Sequence, residues 1–144
     1  MELKECINFL LTTAQHNVFQ LMSTKLAAYD ITPSQYGVLA CLWGKSHATP
    51  KQIAEVLSLE TSTISGVLDR MQKKDLIDRV INKEDRREVQ VMITEKGKAL
   101  EEPISRIIDE VNEQVLRSFS EEEVARLKDD LRRIANLDFS VSES

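Results

Sequence analysis

Glycine is scarce in this chain: four in 144 residues, beside three prolines and two cysteines. So few glycines leave no phosphate-binding glycine loop, and no G-x-S-x-G nucleophile turn occurs. The histidines, His16 and His47, and the cysteines, Cys6 and Cys41, share no metal-ligand spacing. No metal, no cofactor and no enzymatic activity are therefore expected. Cys6 and Cys41 read as reduced, partly buried thiols. No apolar run approaches the ~18–20 residues of a membrane span. The opening MELKEC lacks a basic segment followed by an apolar one, so no signal peptide and no membrane association are expected. The cytoplasm is the expected location.

What is present is a charged, moderately apolar chain. Hydrophobic residues make up 42% and charged residues 30%, a balance that suits one packed soluble domain. The net charge of −5 argues against a nucleic-acid binder if it is taken as a whole. Taken by region, it does not. Residues 1–48 are neutral, 49–61 carry −1, 62–98 carry +2 and 99–144 carry −6. The acidity belongs to the C-terminal third, and the local field decides what a surface attracts.

Residues 3–29 contain neither glycine nor proline. Leu3, Ile7, Leu10, Ala14 and Leu21 fall at helical spacing, with Leu11, Val18, Met22 and Leu26 beside them. This predicts one long amphipathic helix with more apolar face than a small domain can cover alone. Thr32, Pro33 and Gln35 form a helix start of the capping-box type, and Thr49, Pro50 and Gln52 repeat it. The first of these helices is expected to end at Gly44. A third helix follows in TSTISGVLDRMQKKDLI. Ile64, Val67, Leu68 and Met71 form its apolar side; Ser62, Thr63, Ser65, Gly66, Asp69 and Arg70 form the other. The period then drops from 3.6 to 2 over 77–81 and 88–93, which predicts two strands joined by 82–87 as a hairpin. Thr94 caps a long helix along which Leu100, Ile104, Ile107, Ile108, Val111, Val115, Leu116 and Phe119 fall at helical spacing, and which Pro103 should kink. Ser120 and Glu123 open a last helix with Val124, Leu127, Leu131 and Ile134 on one face. The tail SVSES is expected to fray.

Helix, short helix, turn, helix and β-hairpin is the layout of a winged helix-turn-helix. The fold class is mainly α with a small β-hairpin wing. The small hydroxyls of Ser62, Thr63 and Ser65 suit hydrogen bonding in a DNA major groove. Arg70, Lys73 and Lys74, further along, suit phosphates and would anchor without reading sequence. Thr49, Lys51 and Gln52 are assigned to the DNA backbone. In the hairpin loop, Arg87 can enter the minor groove, with Asp85 holding its guanidinium; Arg86 and Lys83 suit phosphates. A plainer reading makes the loop a solubility device and the helix hydroxyls caps.

The span from Thr32 to Leu100 resembles the MarR family of bacterial transcription regulators. The likeness rests on S-T-I-S…L-D-R-M in the third helix, L-I-D-R before the wing, Asp85-Arg86-Arg87 within it, and I-T-E-K-G after it. The sequence departs from the family twice. Gly66 stands where relatives often carry a longer polar or basic residue. Asp75 stands where a glycine usually ends the helix, a position that often needs φ > 0.

The resemblance implies a homodimer, with dimerisation helices in 1–31 and 99–144 flanking the DNA-binding region 32–98 in one compact domain. Two recognition helices would meet successive major grooves of a pseudo-palindrome, about 34–36 Å apart. The implied protein is a double-stranded-DNA-binding repressor released by a small aromatic or lipophilic anion, with His16, Phe19, Tyr36 and Trp43 as pocket candidates. Two alternatives stand beside it: a thiol-oxidation sensor working through Cys6, and a winged-helix protein-interaction module without specific DNA binding.

Overall fold

The computed structural model describes residues 1–81 and 88–140. The described residues form two compact units, Met1–Val111 and Asn112–Ser144, and the boundary falls inside a helix. No described helix is long and apolar enough to cross a membrane.

The first unit opens with α1, Ile7–Leu26, flanked by single 3-10 turns at Leu3–Glu5 and Ala27–Tyr29. Together they cover the glycine-free run. Of α1 only Leu26 is buried, while Leu3, Ile7, Leu10, Leu11 and Phe19 are exposed. Next come α2 (Pro33–Lys45), β1 (His47–Ala48), α3 (Pro50–Leu57) and α4 (Thr61–Lys73). Both capping boxes form. Thr32 Oγ1 accepts from the Gln35 amide at 3.2 Å, and Gln35 Oε1 accepts from the Thr32 amide at 3.2 Å. The same reciprocal pair joins Thr49 and Gln52, at 3.1 and 2.9 Å. Each satisfies two otherwise orphaned amides and sets the direction in which its helix leaves the turn.

Strands β2 (Ile77–Ile81) and β3 (Val89–Ile93) pair antiparallel, from Ile77 opposite Ile93 to Ile81 opposite Val89. The two-residue β1 adds to the far side of β3, giving the order β1-β3-β2. That third strand is too short to carry a period of its own and was not expected from sequence. The expected wing loop, 82–87, lies outside the described residues, as do the last four residues of the tail.

Two helix expectations need correction. Gly44 does not end α2; the helix runs to Lys45, and Ser46 turns the chain at φ 71°. Pro103 does not kink a long helix. The segment is split at Leu100 into α5 (Glu95–Ala99) and α6 (Glu101–Leu116), so Pro103 falls in the first turn of α6, where no intrahelical N–H is needed.

The core of this unit joins Leu26, Leu39 and Leu42 to Ile53, Ile64, Leu68, Met71, Ile77, Val91 and Ile104, each no more than 1% exposed. The second unit holds α7 (Glu121–Ala135), opened by the Ser120–Glu123 capping box. None of its residues is buried, and Phe119, Leu131, Ile134, Leu137 and Phe139 stand exposed nearby in sequence.

Position 75 has the backbone that a helix-ending glycine would supply: Asp75 sits at φ 63°. The chain then turns into β2, and Gly97 packs beneath the turn. A Cβ on Gly97 would lie 2.5 Å from the Leu76 carbonyl oxygen and 2.8 Å from Ile93 Cγ1. Backbone cannot yield as a side-chain tip can. Gly97→Ala should therefore cost about 1–3 kcal/mol, the range for overpacking a tight interior. The expected readout is a lower urea midpoint with an unchanged slope.

Candidate nucleic-acid interface

The candidate recognition helix is α4. Its buried side, Ile64, Val67, Leu68 and Met71, fixes the helix in the core and leaves the opposite side outward. Thr61, Ser62, Thr63 and Ser65 are exposed. The helix is capped by Glu60, whose side chain makes no capping bond, so these hydroxyls do not serve as the cap residue. That removes the plainest structural explanation for a hydroxyl-rich helix start.

The cations beyond them divide by environment. Arg70 and Lys73 are exposed and form no ion pair among the described residues. Lys74, expected at phosphate, also has partners within the fold. Its ammonium donates to the Asp30 carbonyl at 2.5 Å and to Gln35 Oε1 at 3.1 Å, with the Asp30 carboxylate at 3.6 Å. Gln35 is 3% exposed and also closes the α2 capping box. Lys74 thus ties the end of α4 to the joint between α1 and α2.

A second tie was not visible in the sequence. Arg79, on β2, reaches Asp69 of α4 at 2.7 Å and donates through Nε to Gln72 Oε1, also at 2.7 Å. It braces the strand that leads into the hairpin against the recognition helix. Strand alternation sets Arg79 on one side with Ile77 and Ile81, but periodicity names no partner.

On α3, Thr49 and Gln52 are engaged in their capping box and Lys51 is exposed. Lys83, Asp85, Arg86 and Arg87 lie outside the described residues.

The four pocket candidates separate into two pairs. Tyr36 and Trp43 are half-buried on α2, with ring centroids 6.2 Å apart and planes tilted by 58°. Trp43 Nε1 donates to the Gly97 carbonyl at 2.9 Å, so this ring also braces the fold. Burial, aided by the negative charge of Asp109, raises the Tyr36 phenol above its ordinary pKa. His16 and Phe19 lie exposed on α1.

Neither cysteine is bonded. Cys6 is half-buried where the chain turns into α1, and Cys41 is half-buried on α2. Burial pushes the Cys41 thiol up, against a smaller opposing effect of Lys45, and this disfavours the reactive thiolate. Among the described residues no cluster of His, Cys, Asp and Glu could hold a metal ion.

This arrangement matches known proteins closely. A sequence model of the MarR family fits residues 31–89. The HTH-type transcriptional regulator MgrA of Staphylococcus aureus is 36% identical over 126 residues, which cover 87% of this chain and 84% of that protein. The chain belongs to the MarR family. Solved MarR-family structures superpose on it. A mutant MarR from E. coli complexed with operator DNA does so with a TM-score of 0.82 at 26% identity, over 89% of this chain and 92% of that one. The MepR–DNA complex of S. aureus gives a TM-score of 0.82 at 28% identity, over 90% and 96%. Like its MarR-family relatives, the protein is a winged-helix transcription regulator and not an enzyme. The family match spans α2, α3, α4 and β2, the elements that carry the exposed hydroxyls and cations.

The two lysines at the end of α4 should behave differently. Lys74→Met removes a charged donor from buried Gln35 and should lower the unfolding free energy by about 1.5–3 kcal/mol. Lys73→Met should change it by less than about 0.5 kcal/mol. Urea titrations of the two variants check the contrast.

Proposed function

We propose that this MarR-family regulator is a repressor that binds a pseudo-palindromic operator in double-stranded DNA as a homodimer. The observation that carries the reading is the outward side of α4: exposed Ser62, Thr63 and Ser65, with Arg70 and Lys73, which form no ion pair among the described residues, behind them. Hydroxyls read base edges, and cations take phosphates. Thr49, Lys51 and Gln52 supply backbone contacts from α3. Lys83, Asp85, Arg86 and Arg87 supply the wing contacts, with Arg87 in the minor groove. The similarity to MarR on operator DNA and to MepR on DNA supports this reading.

The homodimer is supported by apolar surface left open in both units. Ile7, Leu10, Leu11 and Phe19 on α1, and Leu131 and Ile134 on α7, are exposed at helical spacing. A second copy of the chain would cover such stripes. The regions 1–31 and 99–144 then serve dimerisation, and 32–98 serves DNA. The acidic C-terminal third turns from the phosphates, and the protein works in the cytoplasm.

Release by a small aromatic or lipophilic anion fits the half-buried Tyr36–Trp43 pair, whose rings offer an apolar wall. The ligand would favour a spacing of the recognition helices that does not match DNA, and affinity would fall by population shift. A redox trigger through Cys41 has less support, since burial holds that group towards the thiol.

Fluorescence anisotropy against the DNA upstream of the protein's own gene, beside a scrambled duplex, tests the reading. Tight binding to the native fragment alone is expected, falling steeply with salt as counterions are released. Arg87→Ala should weaken it. Binding that ignores sequence and salt would turn the reading towards a protein-interaction module. A monomer at micromolar concentration in the ultracentrifuge would remove the dimer.

A further inference from the structure

The recognition helix lacks a side chain at the centre of its outward face. Gly66 lies one turn after Ser62 and one turn before Arg70, so the three share a side of α4. A Cβ placed on Gly66 would meet one neighbour within 4 Å, Arg70 Nη2 at 3.8 Å. The arginine side chain therefore runs back along the helix, as helical side chains do, and lays its guanidinium across the glycine. Asp69, the neighbouring residue in the chain, is itself engaged by Arg79 at 2.7 Å.

We infer that Arg70 reads a guanine in each half-site, using the room that Gly66 leaves. The assignment rests on the DNA-binding reading above and changes the role of this residue from phosphate anchor to base reader. The charge is carried one turn towards the hydroxyl-bearing start of the helix, the part that meets base edges in helix-turn-helix proteins. The planar fork of a guanidinium matches O6 and N7 of guanine with two parallel hydrogen bonds, a geometry an ammonium cannot reproduce. A long side chain at position 66 would occupy the space the guanidinium now fills. The glycine at position 66 thus leaves the base contact to Arg70, on the next turn. Lys73, one further turn along, remains a phosphate contact.

Selection from a random duplex library with the full-length protein, followed by sequencing, tests this. The wild type should enrich a palindromic motif with a G·C pair at one symmetric position in each half. Arg70→Lys keeps the charge and loses the fork. It should bind scrambled duplex with the wild-type salt slope yet lose about tenfold or more discrimination at that pair, with the rest of the motif intact. Gly66→Gln should alter the preference at the same pair. The assignment is overturned if Arg70→Lys selects the full wild-type motif while Arg70→Ala weakens motif and scrambled duplex alike, the signature of a phosphate anchor. Wild-type preference retained by Gly66→Gln overturns the part given to the glycine. Absence of any motif with the wild type removes the DNA-binding reading, and this assignment with it.

Discussion

The backbones of Leu76 and Gly97 come so close that no side chain fits between them. Much of the first unit is organised around this contact. The Thr94 amide donates to the Leu76 carbonyl, and the Thr94 hydroxyl both donates to the Asp75 carbonyl and accepts from the Gly97 amide. Lys96 donates to the Lys74 carbonyl, and Trp43 to the Gly97 carbonyl. The last turn of α4, the start of β2, the end of β3, the first turn of α5 and the side of α2 are all fastened at one corner. Helix α4 is thereby held at its C-terminal end, while Thr61, Ser62 and Thr63 at its N-terminal end are exposed. A site built on rigid elements of this kind keeps its geometry better than one carried on loops.

Two polar braces extend from that corner. Lys74 runs to the joint between α1 and α2, and Arg79 runs from β2 back to α4. Lys74 joins elements far apart in sequence and Arg79 joins two consecutive ones, each through a cation partly screened from water. A displacement at the α1–α2 joint would therefore meet the recognition helix through a hydrogen bond to Gln35, a residue nearly closed to solvent. This is a contiguous physical link between the end of α4 and the joint where α1 gives way to α2.

The parts of this fold that could be read from sequence are those where one residue type solves a local problem. Thr32, Thr49, Thr94 and Ser120 cap helices because a short hydroxyl side chain can satisfy an orphaned amide nearby. The strands were legible because a half-buried sheet imposes period 2 on Val89, Val91 and Ile93. Partner choice was not legible. Lys74 and Lys73 are adjacent and alike, and only the tertiary position of Asp30 and Gln35 separates a structural ammonium from a free one. Gly44 was read as a helix end because glycine usually is one, whereas the available space and the αL turn fell two residues later, at Ser46. The proline misled similarly: the break it was expected to cause lies three residues upstream.

None of the described residues with positive φ is a glycine. Asp30, Ser46, Ser58 and Asp75 take the left-handed turn that ends, in order, the Ala27–Tyr29 turn, α2, α3 and α4, with φ between 55° and 71°. A residue with a Cβ has only a narrow left-handed basin, whereas glycine wanders freely across both halves of φ. The scarcity of glycine noted at the outset is thus also a scarcity of hinges. Each of these four corners behaves as a stop and not as a swivel, at a cost in local strain. At these four turns the chain changes direction without the conformational latitude that a glycine would give it.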